Sequence, residues 1–77
     1  MKVTLLAFAS AAERLGWRSL EMEATDSDTP RALFARASEG FQPGVARVAV
    51  DCEYRDWDTP IGASAREVAI IPPVSGG

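Results

Sequence analysis

An α+β fold is what this 77-residue chain predicts: a mixed sheet, one main helix and an extended C-terminal tail. Three observations lead there. Residues 3–9 and 67–71 are the most apolar stretches, and both are too short for anything but buried strands. Between them, Leu33, Phe34 and Ala37 follow Thr29-Pro30 at helical spacing. The chain then ends in Pro72-Pro73-Val74-Ser75-Gly76-Gly77, which refuses both helix and interior strand pairing.

Each element has its own local cause. In residues 3–9, Leu5, Leu6 and Phe8 make a strand expected to be buried on both faces. Ser10 stands where an N-cap belongs, with Glu13 at capping-box spacing and Gly16 as the stop of a short helix over 11–15. From 18 to 24, Leu20, Met22 and Ala24 alternate with Ser19, Glu21 and Glu23, which predicts a half-buried strand paired with the first. Thr29 and Pro30 are an N-cap and a first helical residue, and Arg31, Arg36 and Glu39 fall on the outer side of the helix that Gly40 closes. Phe41-Gln42-Pro43-Gly44 is a turn. Residues 45–50 predict a third strand with Ala46, Val48 and Val50 on one face. Asp51-Cys52-Glu53 makes a tight turn into a short strand at Tyr54 and Arg55. Thr59-Pro60-Ile61 is expected to be one helical turn, and 62–66 a loop before the final strand. With the first and last strands central and adjacent, the order describes a β-grasp, or ubiquitin-like, roll over 1–71, and 72–77 form a flexible tail.

Composition excludes several functions. One small domain leaves no room for separate catalytic and substrate domains. A hydrophobic content of 47% with 25% charged residues is that of a folded chain. The net charge of -3 and eight scattered cations argue against nucleic acid and suit a partner with a basic surface. Lys2 precedes an apolar stretch interrupted by Ser10, Glu13 and Arg14, so neither a secretory leader nor a membrane span is expected. One cysteine, Cys52, excludes an internal disulfide and points to a reducing, cytoplasmic setting.

The chain has no histidine, which removes Ser-His and Cys-His nucleophile pairs and most metal sites. Cys52 lies between Asp51 and Glu53, charges that disfavour a thiolate, and is expected to be a structural or incidental thiol. Asp51, Glu53, Asp56 and Asp58 lack the glycine and terminal glutamate of a calcium loop, so no metal is expected. Trp17, Tyr54 and Trp57 are not interleaved with basic residues, and no glycine-rich phosphate loop is present. The chain is therefore not expected to be an enzyme by itself. What remains is the carboxyl group of Gly77 on an arm narrowed by Gly76. A carboxylate is a poor electrophile, and it gains chemistry when another enzyme activates it, for instance as an anhydride with AMP.

These residues resemble the small, MoaD-type subunit of molybdopterin synthase over essentially the whole chain. The carriers of that resemblance are Phe8-Ala9-Ser10 with Glu13-Arg14-Leu15-Gly16, then Thr29-Pro30-Arg31-Ala32-Leu33, Ala49-Val50-Asp51, Thr59-Pro60-Ile61, and above all the ending from Glu67 to Gly77. The resemblance implies a non-catalytic sulfur-donor subunit of a heteromeric sulfurtransferase, a heterotetramer in the family. Gly77 would bear first an adenylate and then a thiocarboxylate, with Gly76 giving clearance. Pro72, Pro73, Val74 and Ser75 would enter the large catalytic subunit, and Phe8 and Ile71 fall where the family places apolar residues against partners, ordinary core burial being the alternative for both. The acceptor implied is cyclic pyranopterin monophosphate, converted to the dithiolene of molybdopterin during molybdenum cofactor biosynthesis. An E1-like adenylyltransferase would use ATP; no stably bound cofactor is implied. Asp51 replaces the family's usual Asn, and Ala65-Arg66 replace its Gly-Asp in a loop one residue longer. Three alternatives stay open: a thiamine-type sulfur carrier, a ubiquitin-like modifier of protein lysines, and a plain interaction domain.

Overall fold

In the computed structural model, which describes residues 1–73, seven elements follow one another: β1 (Lys2–Ala7), α1 (Ala9–Leu15), β2 (Ser19–Glu23), α2 (Pro30–Ala37), β3 (Arg47–Val50), β4 (Glu53–Arg55) and β5 (Glu67–Ile71). Val74, Ser75, Gly76 and Gly77 lie outside the described residues, and so does the greater part of the expected tail. The strands form one mixed sheet in the order β2-β1-β5-β3-β4. β1 and β5 are parallel neighbours, as their apolar character predicts, with Ala7 opposite Ile70; β1–β2, β3–β5 and β3–β4 are antiparallel. The fold is thus the predicted ubiquitin-like α+β roll.

One face of the sheet carries the core. Val3 and Leu5 of β1, Val48 and Val50 of β3, and Val68 and Ile70 of β5 are each at most 2% exposed, and they pack with Leu33 and Phe34 of α2. Burying each such side chain stabilises the fold by about 1.5–3 kcal/mol. Phe34 centres an aromatic cluster, with ring centroids 6.0 Å from Trp17, 5.3 Å from Phe41 and 5.7 Å from Trp57. The Trp57 indole N–H donates to Ala46 O at 3.0 Å, so its one polar atom is satisfied.

Thr29 caps α2 as its sequence predicts, its Oγ1 accepting from Ala32 N at 3.1 Å, and Pro30 occupies the first helical position. The start of α1 differs. The helix begins at Ala9 with Phe8 at the cap and no side-chain cap bond, so Ser10 lies inside the helix and the capping box does not form. Ala9 takes a left-handed φ of +49°, which turns the chain out of β1 one residue before Ser10 can act as a cap. Gly16 ends the helix at φ +86°, its N–H reaching Ala12 O at 2.9 Å, as predicted. Thr59-Pro60-Ile61 is not a helical turn. The N–H groups that would build one are used elsewhere: Ile61 N donates to Asp28 O at 2.9 Å and Gly62 N to Asp26 O at 3.0 Å, strapping this loop to the entry of α2.

Candidate functional site

The second face of the sheet is where structure and expectation part. Thr4 and Leu6 are half-buried while Val3, Leu5 and Ala7 are buried, so β1 has one covered face and not two. Strand alternation puts Leu6, Ala49 and Ala69 on the side opposite the core, where Leu6 and Ala69 are half-buried and Ala49 is buried. The register sets them in a single row running Ser19, Leu6, Ala69, Ala49, Tyr54 across all five strands. No second layer stacks on this row among the described residues, and Tyr54 is 61% exposed. The next row away from the tail is polar, with Glu21 and Glu67 flanking Thr4.

Phe8 and Ile71 join this row at the end where β5 leaves the sheet. Ile70 pairs with Ala7, so β5 ends level with Phe8. Phe8 is 50% exposed, which decides between its two readings: it is not core. Ile71 is half-buried and pairs with Arg47, whose guanidinium carbon sits 4.8 Å from the Tyr54 ring centroid. Leu6, Phe8, Ala49, Tyr54, Ala69 and Ile71 line a shallow apolar groove of about 240 Å³, with Cys52 and Glu67 at its margin. Pro72 is half-buried and Pro73 exposed as the chain departs. The structure places Phe8 and Ile71, both singled out in the sequence, in one groove, together with Leu6, Ala49, Tyr54 and Ala69, which were not. The signal that finds these four is a strand apolar at consecutive positions in a chain with too few helices to cover both faces.

The backbone around the groove is set by unusual conformations. Asp51 and Cys52 have φ of +50° and +71°, forming the two-residue hairpin between Val50 and Glu53. The Asp51 carboxylate accepts from Arg66 N at 3.0 Å and Glu67 N at 2.9 Å, pinning the 62–66 loop to the start of β5. Cys52 is exposed. No group of three or more His, Cys, Asp or Glu side chains suited to a metal exists among the described residues, and no helix there is long and apolar enough to cross a membrane. Among the described residues this surface is a shallow apolar groove beside the point where β5 ends and the chain continues into Pro72 and Pro73.

Comparison with known proteins fits that arrangement. The ThiS family model matches residues 5–77. Among solved structures, SAMP1 from Haloferax volcanii is similar at a TM-score of 0.76 with 22% identity, covering 100% of both chains. A putative molybdopterin converting factor subunit 1 from Pyrococcus furiosus matches at 0.68 with 23% identity, over 96% of this chain and 99% of that one. The chain in a complex of subunits 1 and 2 of the molybdopterin-converting factor from Helicobacter pylori 26695 matches at 0.63 with 21% identity, covering 100% of each. No curated protein matches. The family match spans nearly the whole chain and the fold agrees throughout: this protein belongs to the ThiS family and has the ubiquitin-like sulfur-carrier fold.

Proposed function

We propose that this chain is the sulfur-carrier subunit of a molybdopterin synthase. The observation that carries the reading is the continuity of Phe8, Ile71 and the apolar row with the end of β5, from which Pro72 and Pro73 lead toward Gly76 and Gly77. A large catalytic subunit would seat on the row and receive the arm 72–77; the Helicobacter pylori structure named above contains such a two-subunit pairing. The chemistry begins with an E1-like enzyme. The Gly77 carboxylate attacks the α-phosphate of ATP, pyrophosphate leaves, and an acyl adenylate results. A sulfur nucleophile then displaces AMP to leave a thiocarboxylate. In the large subunit this sulfur passes to cyclic pyranopterin monophosphate, and two such transfers build a dithiolene. The carrier itself contributes no acid, base or metal ligand; it contributes reach, the clearance of two glycines, and a docking surface.

A second reading has support of its own. The solved structure with the 0.76 TM-score is a small archaeal modifier protein, so attachment of Gly77 to protein lysines uses the same activated carboxyl. Intact mass after incubation with ATP, an activating enzyme and a sulfur donor separates the readings. A carrier gains the mass of one oxygen exchanged for sulfur at Gly77 and passes it to the pterin precursor when the large subunit is added. A modifier yields isopeptide adducts on other proteins. Failure to gain mass with an activating enzyme competent on another carrier would count against both.

A further inference from the structure

Seven of the eight cations of this chain are arginines; Lys2 is the single lysine. A guanidinium stays protonated in water and takes no acyl group, whereas a lysine amine that has shed its proton is a nucleophile. A chain whose own carboxyl is activated therefore carries one side-chain amine open to it. Lys2 begins β1 and is exposed, and its side chain enters no ion pair or hydrogen bond among the described residues. The amine of Met1 is held instead, donating to Ala24 O at 3.0 Å and lying 3.5 Å from the Glu23 carboxylate. Glu23 is the residue opposite Lys2 on β2, so the Met1 amine has taken the acid that Lys2 would otherwise meet.

Topology separates this amine from the chain's own carboxyl. β1 and β5 are parallel, and β5 ends level with Phe8, six residues along from Lys2, about 20 Å at the rise of a strand. The six residues after Ile71 span about 20 Å at full extension. A tail of that length that must also reverse direction has no slack for returning along β1 to its own Lys2, a demand that a second copy does not make. Resting on the activation of Gly77 proposed above, we infer that Lys2 of a second copy is the acceptor when no sulfur donor intercepts the adenylate. The Lys2 amine attacks the Gly77 carbonyl carbon; a C–N bond forms, the C–O bond to phosphate breaks, AMP leaves with the electron pair, and the amine proton passes to solvent. Each product keeps one free Lys2 and one free Gly77, so the copies join head to tail through a single type of linkage. Sulfur loading and self-conjugation compete for one adenylate, and the depletion of lysine elsewhere holds the second to one position.

The test is a paired incubation of the full chain with ATP and an E1-like activating enzyme, with and without a sulfur donor, read by intact mass and tryptic mapping. Without donor, the expected product is a two-copy species one water lighter than twice the monomer. Its peptide from Glu67 to Gly77 should be attached at Lys2 and survive hydroxylamine. Lys2→Arg should reduce it at least tenfold and leave thiocarboxylate formation in the other arm unchanged. A conjugate that persists in Lys2→Arg, maps to Met1 or Cys52, or forms within one copy overturns the inference. So does the absence of any conjugate while the donor arm makes thiocarboxylate. If neither adenylate nor thiocarboxylate forms, the activation of Gly77 falls, and this inference with it.

Discussion

Asp51 does two things that few residues do together. It tolerates the left-handed φ of +50° that opens the β3–β4 hairpin, and its carboxylate Oδ1 takes both the Arg66 and Glu67 N–H groups. Asp51→Ala removes both acceptors and should cost about 1–2 kcal/mol in chemical denaturation. Asp51→Asn keeps one acceptor oxygen and should cost clearly less. Cys52, at φ +71°, has no such side-chain partner. Cys52→Gly should stabilise by about 0.5–1 kcal/mol, since the left-handed conformation is free of steric cost in glycine. Asp28 sets a pH dependence. Two bonds from Arg36, at 3.1 and 3.2 Å, and one from Thr25 N at 2.8 Å hold its carboxyl below the usual aspartate value. Its stabilising effect is present above the unfolded value of about 4 and lost as pH falls through the lower folded value. The urea midpoint should therefore fall on acidification below about pH 4. Asp28→Asn should flatten that fall and cost about 1 kcal/mol at neutral pH.

The two helices are comparable in length but differ in how they start. α2 has a side-chain cap and a proline at its first position; α1 has neither and begins on a strained alanine. Thr29→Ala should cost about 1 kcal/mol of unfolding free energy, the ordinary loss for a cap. Ser10→Ala should be neutral or slightly stabilising, because Ser10 sits inside α1 where alanine is the better helix former. Comparing the two variants by thermal unfolding distinguishes the observed boundary from the one capping-box spacing suggests. The contrast shows how far local pattern reaches. Thr29-Pro30 was legible because cap and helix are contiguous in sequence. The start of α1 was not, since the chain's exit from β1 decides where the first turn can begin.

One sheet face carries the core, and the proposed function assigns the other to recognition. Phe34, fully buried among Trp17, Phe41 and Trp57, belongs to folding; Phe34→Ala should cost about 3–5 kcal/mol and unfold much of the population. Phe8 is outside the core, and the proposed function assigns it to the docking surface. Phe8→Asp should leave the thermal midpoint within about 3 °C of wild type, because half of its surface already faces solvent. Binding to the large subunit, measured by calorimetry, should weaken at least tenfold, the usual effect of losing an aromatic anchor in an interface. Loss of folding in Phe8→Asp, or unchanged binding, would remove Phe8 from the docking surface.

Sequence alone determined the α+β class, the adjacency of β1 and β5, the cap of α2 and the glycine stop of α1, because each follows from short-range pattern: apolar runs, alternation, and residues with restricted backbone choices. It also singled out Phe8 and Ile71 beside the tail. Tertiary structure decided that β1 is covered on one face only, that Phe8 is outside the core, and that 59–61 is a strap and not a helical turn. It also brought Leu6, Ala69, Ala49 and Tyr54 into one row from three separate parts of the chain. The physical reason is common to all four. A side chain's face and a backbone group's partner depend on strand register and on which layer lies opposite, and both are fixed by residues far away in sequence.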